Sequence, residues 1–371
     1  MTGEYKMIRL LYAMGGPMVR AGAETMVMRY IRELIKSNEY KISILIHANS
    51  DENGDYDEEL QMLGIPIFRV PRRGTDPIKY QKNLDVFFRE NEFDIVHCHM
   101  DVACGVFLSA AKRANIPVRI AHSHLTTYQA TNLIKKIAGF FSKKKIPSVA
   151  THRLACSKKA GDWLFEGRSF EVINNALDLD EYRNVKSDCE LRKKLLIDED
   201  DFVIGHIGRF CLQKNHEFLL EICSKISRPK WKLVLVGVGP LLDNMIERAE
   251  KLGIKDRVLF LGLSNDIPKI MNMFDVFVMP SLFEGLPVTG IEAQASGKPC
   301  IFSDRITPEI CFTSNAKMYS LENKEVWINS LSKETFINNI DEAQKALSNN
   351  GYSIKIEAQK LNKLYKDMLG D

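Results

Sequence analysis

Short apolar runs alternate along the chain with stretches in which apolar residues recur at helical spacing. In the first half, the runs predict strands over Met7–Tyr12, Lys41–Ile46 and Ile95–Cys98, and the helical spacing predicts helices over Ala23–Ile35 and Lys79–Asn91. Strands that alternate with helices form parallel sheets, because each helix carries the chain back across the sheet. The pattern therefore predicts an α/β domain with a doubly wound parallel sheet.

A second series of strands and helices follows in the second half of the chain. Its predicted strands are Phe202–Ile207, Lys232–Val236, Val258–Leu261, Asp275–Met279 and Pro299–Phe302. A chain of 371 residues, 45% of them hydrophobic, is long enough for two such domains with separate cores. We place the boundary in the polar stretch 174–180, which gives domains at 1–178 and 179–353.

Two glutamates lie at different depths of a loop and helix that follow the strand predicted at 275–279. Residues 288–296 can form a helix, so Glu284 precedes it and Glu292 lies on it. A helix N-terminus presents free N–H groups and a partial positive charge, which favours a bound diphosphate. Glu284 is then available to accept hydrogen bonds from sugar hydroxyls. The alternative is that both carboxylates are solvated surface groups.

Two cations follow the first strand of the second series. Arg209 lies in the loop after residues 202–207, and Lys214 precedes the next helix. Both belong to the carboxyl edge of the sheet, where open α/β folds bind ligands. Arginine can bind phosphate oxygens in pairs and lysine acts as a mobile point charge, so together they can neutralise a departing diphosphate without a metal ion.

Taken together, these segments resemble glycosyltransferase family 4, whose signature is two glutamates separated by seven residues. Glu284 and Glu292 have that spacing. The resemblance implies an α/β protein of the GT-B fold, with two Rossmann-like doubly wound domains facing a central cleft. It also implies that the helical segment 354–371 packs back on the first, acceptor-side domain, and that the second domain binds the nucleotide sugar.

The resemblance assigns roles to individual residues. In the family, the first glutamate clamps hydroxyls of the donor sugar and the second binds the ribose of the nucleotide. The residues implied in catalysis are His124, Arg209, Lys214 and Glu284. Those implied in donor binding are Gly15, Gly16, Gly22, Gly239, Leu263, Gly285, Leu286, Pro287, Val288 and Glu292. The glycine-bearing loop between the first strand and helix departs from the family's pattern, because Ala21 replaces one glycine.

Histidines concentrate in two short segments, 97–99 and 122–124. We expect each to follow a strand, and we assign His99, Asp101 and His122 to the acceptor side. Zinc is an alternative, but alternate residues of one strand share a face without forming a tetrahedron, and no carboxylate pattern completes a site. We therefore predict no metal and no cofactor apart from the nucleotide sugar that serves as co-substrate.

A basic amphipathic segment at 132–146 combines five lysines with apolar and aromatic residues at helical spacing. Such a helix suits an anionic membrane surface. Residues 1–170 carry 25 Lys and Arg against 18 Asp and Glu, a net charge of +7, whereas residues 171–371 carry 26 against 30, a net charge of −4. We predict peripheral membrane contact through 132–146. Nucleic-acid binding is not predicted, because no recognition motif accompanies the basic face.

The cellular location follows from what the sequence lacks. It has no run of eighteen apolar residues, and residues 1–6 lack the apolar region of a secretory signal. Eight scattered cysteines without a Cys-x-x-Cys pair favour reduced thiols over a disulfide framework. We expect a cytoplasmic protein, peripheral on the inner face of the cell membrane.

The resemblance implies a retaining, metal-independent hexosyltransferase that uses a nucleoside diphosphate sugar, with a UDP-sugar as the expected donor. The expected acceptor is a lipid-linked saccharide in capsule or exopolysaccharide biosynthesis. Three alternatives stay open: a non-catalytic GT-B binding protein, a sugar-nucleotide epimerase or phosphorylase, and a nicotinamide dehydrogenase. The last is disfavoured, because Leu242 occupies the third glycine position of a dinucleotide-binding G-x-G-x-x-G motif.

Overall fold

The computed structural model describes residues 7–49, 51–72, 74, 76–127, 132–185, 189–264 and 266–370. It divides the chain into two compact units: the described residues up to Ala176 together with those from Ile354 onward, and the residues Leu177–Ser353. The division falls after residue 176, against the predicted 178. Asn265, in the turn that resembles the family's base-facing turn, lies outside the described residues, as do residues 1–6 of the N-terminus and Asp371.

The first unit is built around a parallel sheet of seven strands in the order β3-β2-β1-β4-β5-β6-β7. The strands are β1 (Ile8–Met14), β2 (Tyr40–His47), β3 (Ile67–Val70), β4 (Ile95–His99), β5 (Val118–Ser123), β6 (His152–Ala155) and β7 (Glu171–Val172). The helices between them are α1 (Gly22–Leu34), α2 (Asp57–Met62), α3 (Pro77–Glu90), α4 (Cys104–Arg113), α5 (Leu133–Val149) and α6 (Lys158–Phe165). Apolar clusters cover both faces of this sheet, which is why its central strands read as continuous apolar runs.

The second unit contains a parallel sheet of six strands in the order β10-β9-β8-β11-β12-β13. The strands are β8 (Phe202–Ile207), β9 (Trp231–Val236), β10 (Val258–Phe260), β11 (Val276–Met279), β12 (Cys300–Ser303) and β13 (Ala316–Tyr319). The helices are α7 (Leu179–Arg183), α8 (Cys189–Lys194), α9 (His216–Cys223), α10 (Leu242–Lys251), α11 (Ile267–Asn272), α12 (Val288–Ala295), α13 (Lys324–Lys333) and α14 (Ile340–Asn349). The prediction of two doubly wound parallel sheets is confirmed.

In both sheets the strand order reverses next to the first strand of the unit, between β1 and β4 and between β8 and β11. At such a switch point the connections on either side leave in opposite directions. This opens a crevice beyond the carboxyl ends of the two strands, where ligands bind in open α/β sheets. Each unit therefore has one edge at which functional residues are expected.

The last helix, α15 (Ile354–Leu369), begins at the predicted residue and packs on the first unit. Its apolar side chains join the same core cluster as α1. Tyr365 is fully buried, and its hydroxyl lies 3.0 Å from the hydroxyl of Tyr12 on β1. At the helix surface Lys366 forms an ion pair with Glu39 at 2.6 Å. Of the helices in the described residues, none has both the length and the apolar character needed to cross a membrane.

Candidate functional site

The loops that follow β8 and β11 are held together at the switch point of the second unit. The main-chain N–H of Leu282 donates to the carbonyl of Gln213 at 2.8 Å. The side-chain amide of Gln213 donates back to the carbonyl of Phe283 at 3.0 Å, and that of Asn215 donates to the carbonyl of Pro280 at 3.1 Å. These three hydrogen bonds bring two sequence-distant segments into one rigid edge.

Within this edge, the predicted residues Lys214 and Glu284 form an ion pair. Lys214 Nζ lies 2.6 Å from Glu284 Oε1, and the two side chains are only 14% and 11% exposed. Although the two charged atoms are close, Glu284 Oε1 has no hydrogen-bond partner among the described residues. The contact is therefore an ion pair and not a hydrogen bond. The pair therefore places a buried cation and a carboxylate with spare acceptor capacity side by side, as the clamp on a diphosphate and a sugar would require.

Buried polar atoms without partners lie in the segments that form this edge. They are His206 Nε2, both ring nitrogens of His216, Ser281 Oγ and Thr289 Oγ1, none of which forms a hydrogen bond within the described residues. An unpaired buried polar group costs about 1–3 kcal/mol, so several at one sheet edge are typical of a site that binds a ligand or water. Burial, together with the charge of Lys214, lowers the pKa of His216 to about 4.

The helix α12 directs its N-terminus to the same edge. It begins after Pro287 with no side chain capping its first N–H groups. Gly285 lies in open space, with no atom within 4 Å of a β-carbon built on it, and Leu286, Pro287 and Val288 lead into the helix. A free helix N-terminus is an anion site. Glu292 lies on α12 as predicted and is buried, with 6% exposure.

Arg209 and several apolar side chains line the outer part of the edge. Arg209 is exposed and forms no ion pair or hydrogen bond among the described residues. Four exposed apolar side chains stand in the loops after the neighbouring strands β8, β9, β10 and β11: Leu212, Val238, Leu263 and Phe283. Arg209 is thus available to an incoming anion, and the apolar side chains offer a surface on which a flat base can rest.

Gly239 has a packing role that the sequence did not reveal. A β-carbon at Gly239 would lie 2.4 Å from the carbonyl oxygen of Phe210, and one at Gly237 would lie 2.2 Å from that of Gly208. The loop after β9 therefore supports the backbone next to Arg209. Binding of the donor by Gly239 stays a prediction.

Substitution of Gly239 by alanine is expected to lower the free energy of unfolding of the second unit by about 1–3 kcal/mol, because the new methyl group must displace backbone atoms. Urea denaturation of Gly239→Ala and the parent chain measures this. Gly285→Ala is the matched control, since its β-carbon enters open space. Equal losses for both variants would contradict the packing role.

The glycine loop of the first unit leads into α1. Gly15 and Gly16 follow β1 and Gly22 begins the helix, and all three have open space where a β-carbon would stand. Ala21 precedes the helix with φ −119 and ψ 172, an extended backbone that any residue adopts, so it fits where the family has glycine. No side chain caps the start of α1. This loop can approach a phosphate, as the sequence suggested.

The structure corrects the placement of the histidines. His97 and His99 lie on β4 and His122 on β5, rather than after these strands, and only His124 follows one. His99 and His122 face each other across the two strands with ring centroids 4.7 Å apart, and His122 stacks on His124 at 4.4 Å. Burial lowers the pKa of all four rings, so the cluster is neutral.

Hydrogen bonds within the cluster bear on the zinc alternative. Ring nitrogens of His97, His99 and His122 lie within 4.8 Å of one another. However, His97 uses both nitrogens, toward Tyr365 at 2.6 Å and His122 at 2.9 Å, and His99 binds His124 at 2.8 Å. His97 therefore has no ring nitrogen free for a metal ion, whereas Nε2 of His99 and Nε2 of His122 are buried without a partner among the described residues. The absence of a metal stays our prediction.

Asp101 supports this cluster by way of the backbone. Its Oδ1 accepts the main-chain N–H groups of His124 at 2.7 Å and Leu125 at 3.0 Å. The sequence predicts that Asp101 lies on the acceptor side. The structure gives one of its oxygens to the loop that carries His124, so its observed role is to position that loop.

Sequence reasoning missed the buried polar groups in the segments that form the edge of the Lys214–Glu284 pair. Each of these groups lies in or beside a segment that the sequence predicts as part of the site, but nothing in the sequence separates it from ordinary core or loop residues: His206, His216, Ser281 and Thr289. Their neighbourhood in the chain was the available signal. Their burial without partners, which makes them informative, depends on the three-dimensional contacts.

The chain is similar to known glycosyltransferases along most of its length. Residues 187–353 match the model of the glycosyl transferases group 1, and residues 20–181 match that of glycosyltransferase family 4. The putative glycosyltransferase EpsF of Bacillus subtilis is 38% identical over 313 residues, which cover 81% of this chain and 80% of the relative. The UDP-Gal:alpha-D-GlcNAc-diphosphoundecaprenol alpha-1,3-galactosyltransferase of Escherichia coli is 27% identical and covers 91% of this chain and 92% of its own.

Solved structures show the same fold. Anabaena HepE in complex with UDP and glucose superposes with a TM-score of 0.79 and 18% identity, over 97% of this chain and 100% of that chain. WaaG, a glycosyltransferase involved in lipopolysaccharide biosynthesis, superposes with a TM-score of 0.67 and 15% identity, over 98% of this chain and 100% of its own. The chain therefore belongs to glycosyltransferase family 4 and is a glycosyltransferase of the GT-B fold.

Proposed function

We propose that this enzyme transfers a hexose from a UDP-sugar to a lipid-linked saccharide, with retention of the anomeric configuration, in capsule or exopolysaccharide biosynthesis. The observation that carries the proposal is the buried Lys214–Glu284 ion pair at the switch point of the second unit, whose loops also contain buried polar atoms without partners among the described residues. Such an edge suits a ligand that combines a diphosphate with sugar hydroxyls.

The choice of donor and acceptor rests on relatives. HepE was solved with UDP and with UDP-glucose, and the Escherichia coli relative is named for transfer from UDP-Gal to a GlcNAc-diphosphoundecaprenol. A further relative is a Vi polysaccharide biosynthesis protein of Salmonella typhi, 26% identical over 66% of this chain and 44% of its own. These names favour a UDP-sugar, an acceptor on a lipid diphosphate, and a product that enters a polysaccharide.

The residues of the second unit would handle the charge of the leaving group. The bond between C1 of the sugar and the β-phosphate oxygen breaks, and a new bond forms between C1 and the acceptor oxygen. Arg209, Lys214 and the N-terminus of α12 would stabilise the departing diphosphate in a preorganised setting. The acceptor hydroxyl gives its proton to a β-phosphate oxygen on the same face. This mechanism needs no protein nucleophile and no metal ion.

The proposed contact with the membrane rests on the exposed face of α5. Ser142 packs this helix against α4, where a β-carbon at Gly105 would meet the Ser142 carbonyl. The opposite face leaves five large apolar side chains exposed: Leu133, Ile134, Ile137, Phe140 and Phe141. Lys143 and Lys144 both pair with Glu166, so part of the positive charge is already neutralised within the protein. The apolar side chains therefore carry the proposal more than the charge does.

The enzymatic proposal is tested by incubating the purified chain with UDP-glucose, UDP-galactose and their N-acetyl forms, and with undecaprenyl diphosphate GlcNAc as acceptor. We expect UDP release that depends on the acceptor and survives EDTA, and NMR of the product should show the donor's anomeric configuration. Inversion would reject the retaining mechanism, and loss of activity with EDTA that Mg²⁺ restores would reject metal independence. UDP binding without transfer to any acceptor would favour the non-catalytic alternative.

Membrane contact predicts a specific loss of vesicle binding. Replacement of Ile134 and Phe141 together by serine is expected to weaken binding to vesicles of phosphatidylglycerol and phosphatidylethanolamine at least about tenfold, because two large side chains no longer enter the apolar layer. Flotation assays measure this. The control replaces Met62 and Ile78, which are equally exposed on α2 and α3. Equal binding of both double variants would contradict the proposal.

A further inference from the structure

We propose that His99 is a positioning residue that holds His124 in one tautomer, with the proton on Nδ1, so that His124 donates a hydrogen bond to a substrate oxygen. The inference deepens the proposed transfer reaction and rests on it for its functional consequence. Its structural part, the tautomer of His124, stands on the contacts of the first unit alone.

Two neighbouring residues fix His124 from two sides. The His124 Nε2 lies 2.8 Å from Nδ1 of His99, whose side chain is buried on β4. The two rings stack with centroids 5.0 Å apart. Asp101 accepts the main-chain N–H of His124 at 2.7 Å and that of Leu125 at 3.0 Å. Neither the ring nor the backbone of His124 can turn without the loss of one of these hydrogen bonds.

Which of the two rings donates the His99–His124 hydrogen bond depends on which nitrogen of each ring carries the proton. Both rings are neutral, because burial lowers their pKa, so each carries one proton. If His124 Nε2 were the donor, His99 would hold its proton on Nε2, which is buried and has no partner among the described residues. A buried N–H without an acceptor is rarer in proteins than an unused acceptor. His99 Nδ1–H is therefore the donor, and His124 has its proton on Nδ1.

The second histidine pair follows the same rule. His122 Nε2 is also buried without a partner, while its Nδ1 lies 2.9 Å from His97 Nε2. A proton on His122 Nδ1 makes His97 Nε2 an acceptor and puts the His97 proton on Nδ1, which then donates to Tyr365. Tyr365 donates in turn to Tyr12. All protons of the cluster are thus placed in one consistent direction, with two bare nitrogens left inside.

With its proton on Nδ1, His124 can donate a hydrogen bond to a ligand. Its Nδ1 forms no hydrogen bond to any described residue, and the side chain is half-buried rather than enclosed. The groups that face it are the three other histidines, the Asp101 carboxylate and the Cys156 thiol, which contacts the His124 carbonyl. None of these supplies a cation. A neutral N–H donor at this position suits a sugar hydroxyl or a phosphate oxygen.

The test has two readouts. Long-range ¹H–¹⁵N spectra of the histidine-labelled full chain report which ring nitrogen carries the proton, with signals assigned by single substitutions. We expect His124 in the Nδ1–H form with and without UDP. An Nε2–H form, or an even mixture, would overturn the proposal. This measurement does not depend on transfer, so it remains decisive if the chain fails to turn over any donor.

The second readout compares two substitutions of His99. Asparagine places an amide N–H near the position of Nδ1, so His99→Asn is expected to keep kcat within about threefold, whereas His99→Leu should lower kcat at least about tenfold, for one lost buried hydrogen bond. The affinity for UDP alone should stay unchanged, because it depends on the second unit. His152→Leu, on the neighbouring strand β6, is the control. Equal kcat for both His99 variants would overturn the proposal, and thermal denaturation identifies any variant that fails to fold.

Discussion

Replacement of Glu284 by alanine is expected to lower the rate of sugar transfer by at least about a thousandfold, while UDP binds as well as before or more tightly. The carboxylate is the acceptor that would hold the hydroxyls of the donor sugar, and misplacement of a sugar at the reacting centre costs most in the transition state. UDP lacks the sugar. Without Glu284, moreover, the Lys214 ammonium loses the one ion partner that it has among the described residues and becomes fully available to the diphosphate.

The experiment separates a clamp from a structural ion pair. Transfer is followed with a radiolabelled UDP-sugar, and UDP affinity is measured by calorimetry on the same preparations. Glu309→Ala is the control, since Glu309 is an exposed carboxylate of the same unit. Glu284→Gln, which keeps the shape and one acceptor oxygen, should fall between the parent chain and Glu284→Ala. Full activity of Glu284→Ala would refute the clamp, and a parallel loss of UDP binding and transfer would assign the pair to the fold instead.

The main features of the fold could be predicted from the sequence because its strands are buried on both faces. Such strands are mostly apolar, as in Phe202–Ile207 and Tyr40–His47, and the segments between them have helical spacing. The strands that escaped prediction are short and lie toward the sheet edges. Glu171–Val172 and His152–Ala155 are half-buried and partly polar, so they carry no periodic signal.

Site residues could be predicted from the sequence only where they belong to a recognisable motif. Glu284 and Lys214 could be found singly, but their ion pair depends on the pairing of β8 with β11 and on the hydrogen bonds between the two loops. The histidines show the same limit. Their order along the chain suggested two separate segments, whereas the pairing of β4 with β5 stacks them into one cluster. The Lys214–Glu284 ion pair and the stacking of His99 on His122 both join residues that are far apart in the sequence, so local sequence patterns do not predict them.

The buried histidines predict a strong dependence of stability on pH. Burial lowers the pKa of His97, His99, His122 and His206 far below the ordinary value, and that of His216 to about 4. Between pH 6.5 and 4 the unfolded chain therefore binds more protons than the folded one. The free energy of unfolding must then fall as the pH falls, by about 1.4 kcal/mol per pH unit for each such ring.

Between pH 6.5 and about 5, the change in the free energy of unfolding comes from the histidines and not from the carboxylates. Ion pairs lower the pKa of Glu39, Glu59 and Glu221, so these groups lose their contribution only below about pH 4.5. Burial raises the pKa of Glu357, and its effect has the opposite sign near the same pH. Three of these rings lie in the first unit and two in the second, so each unit loses stability across this range of pH. We therefore expect cooperative acid unfolding at unusually mild pH.

Urea denaturation at pH 7.5, 6.5, 5.5 and 5.0, followed separately for the two units by hydrogen exchange, measures this dependence. The first unit should lose stability faster, because it contains the stacked cluster of His97, His99 and His122. In the second unit, His216→Phe is expected to reduce the pH slope by about 1.4 kcal/mol per pH unit, since an aromatic ring remains against Phe210 but no longer titrates. His152→Phe, whose ring is partly exposed in the first unit, should leave the slope of the second unit unchanged. A stability that stays constant from pH 7.5 to 5.0 would show that these rings titrate normally, and the neutral cluster that holds His124 would then be wrong as well.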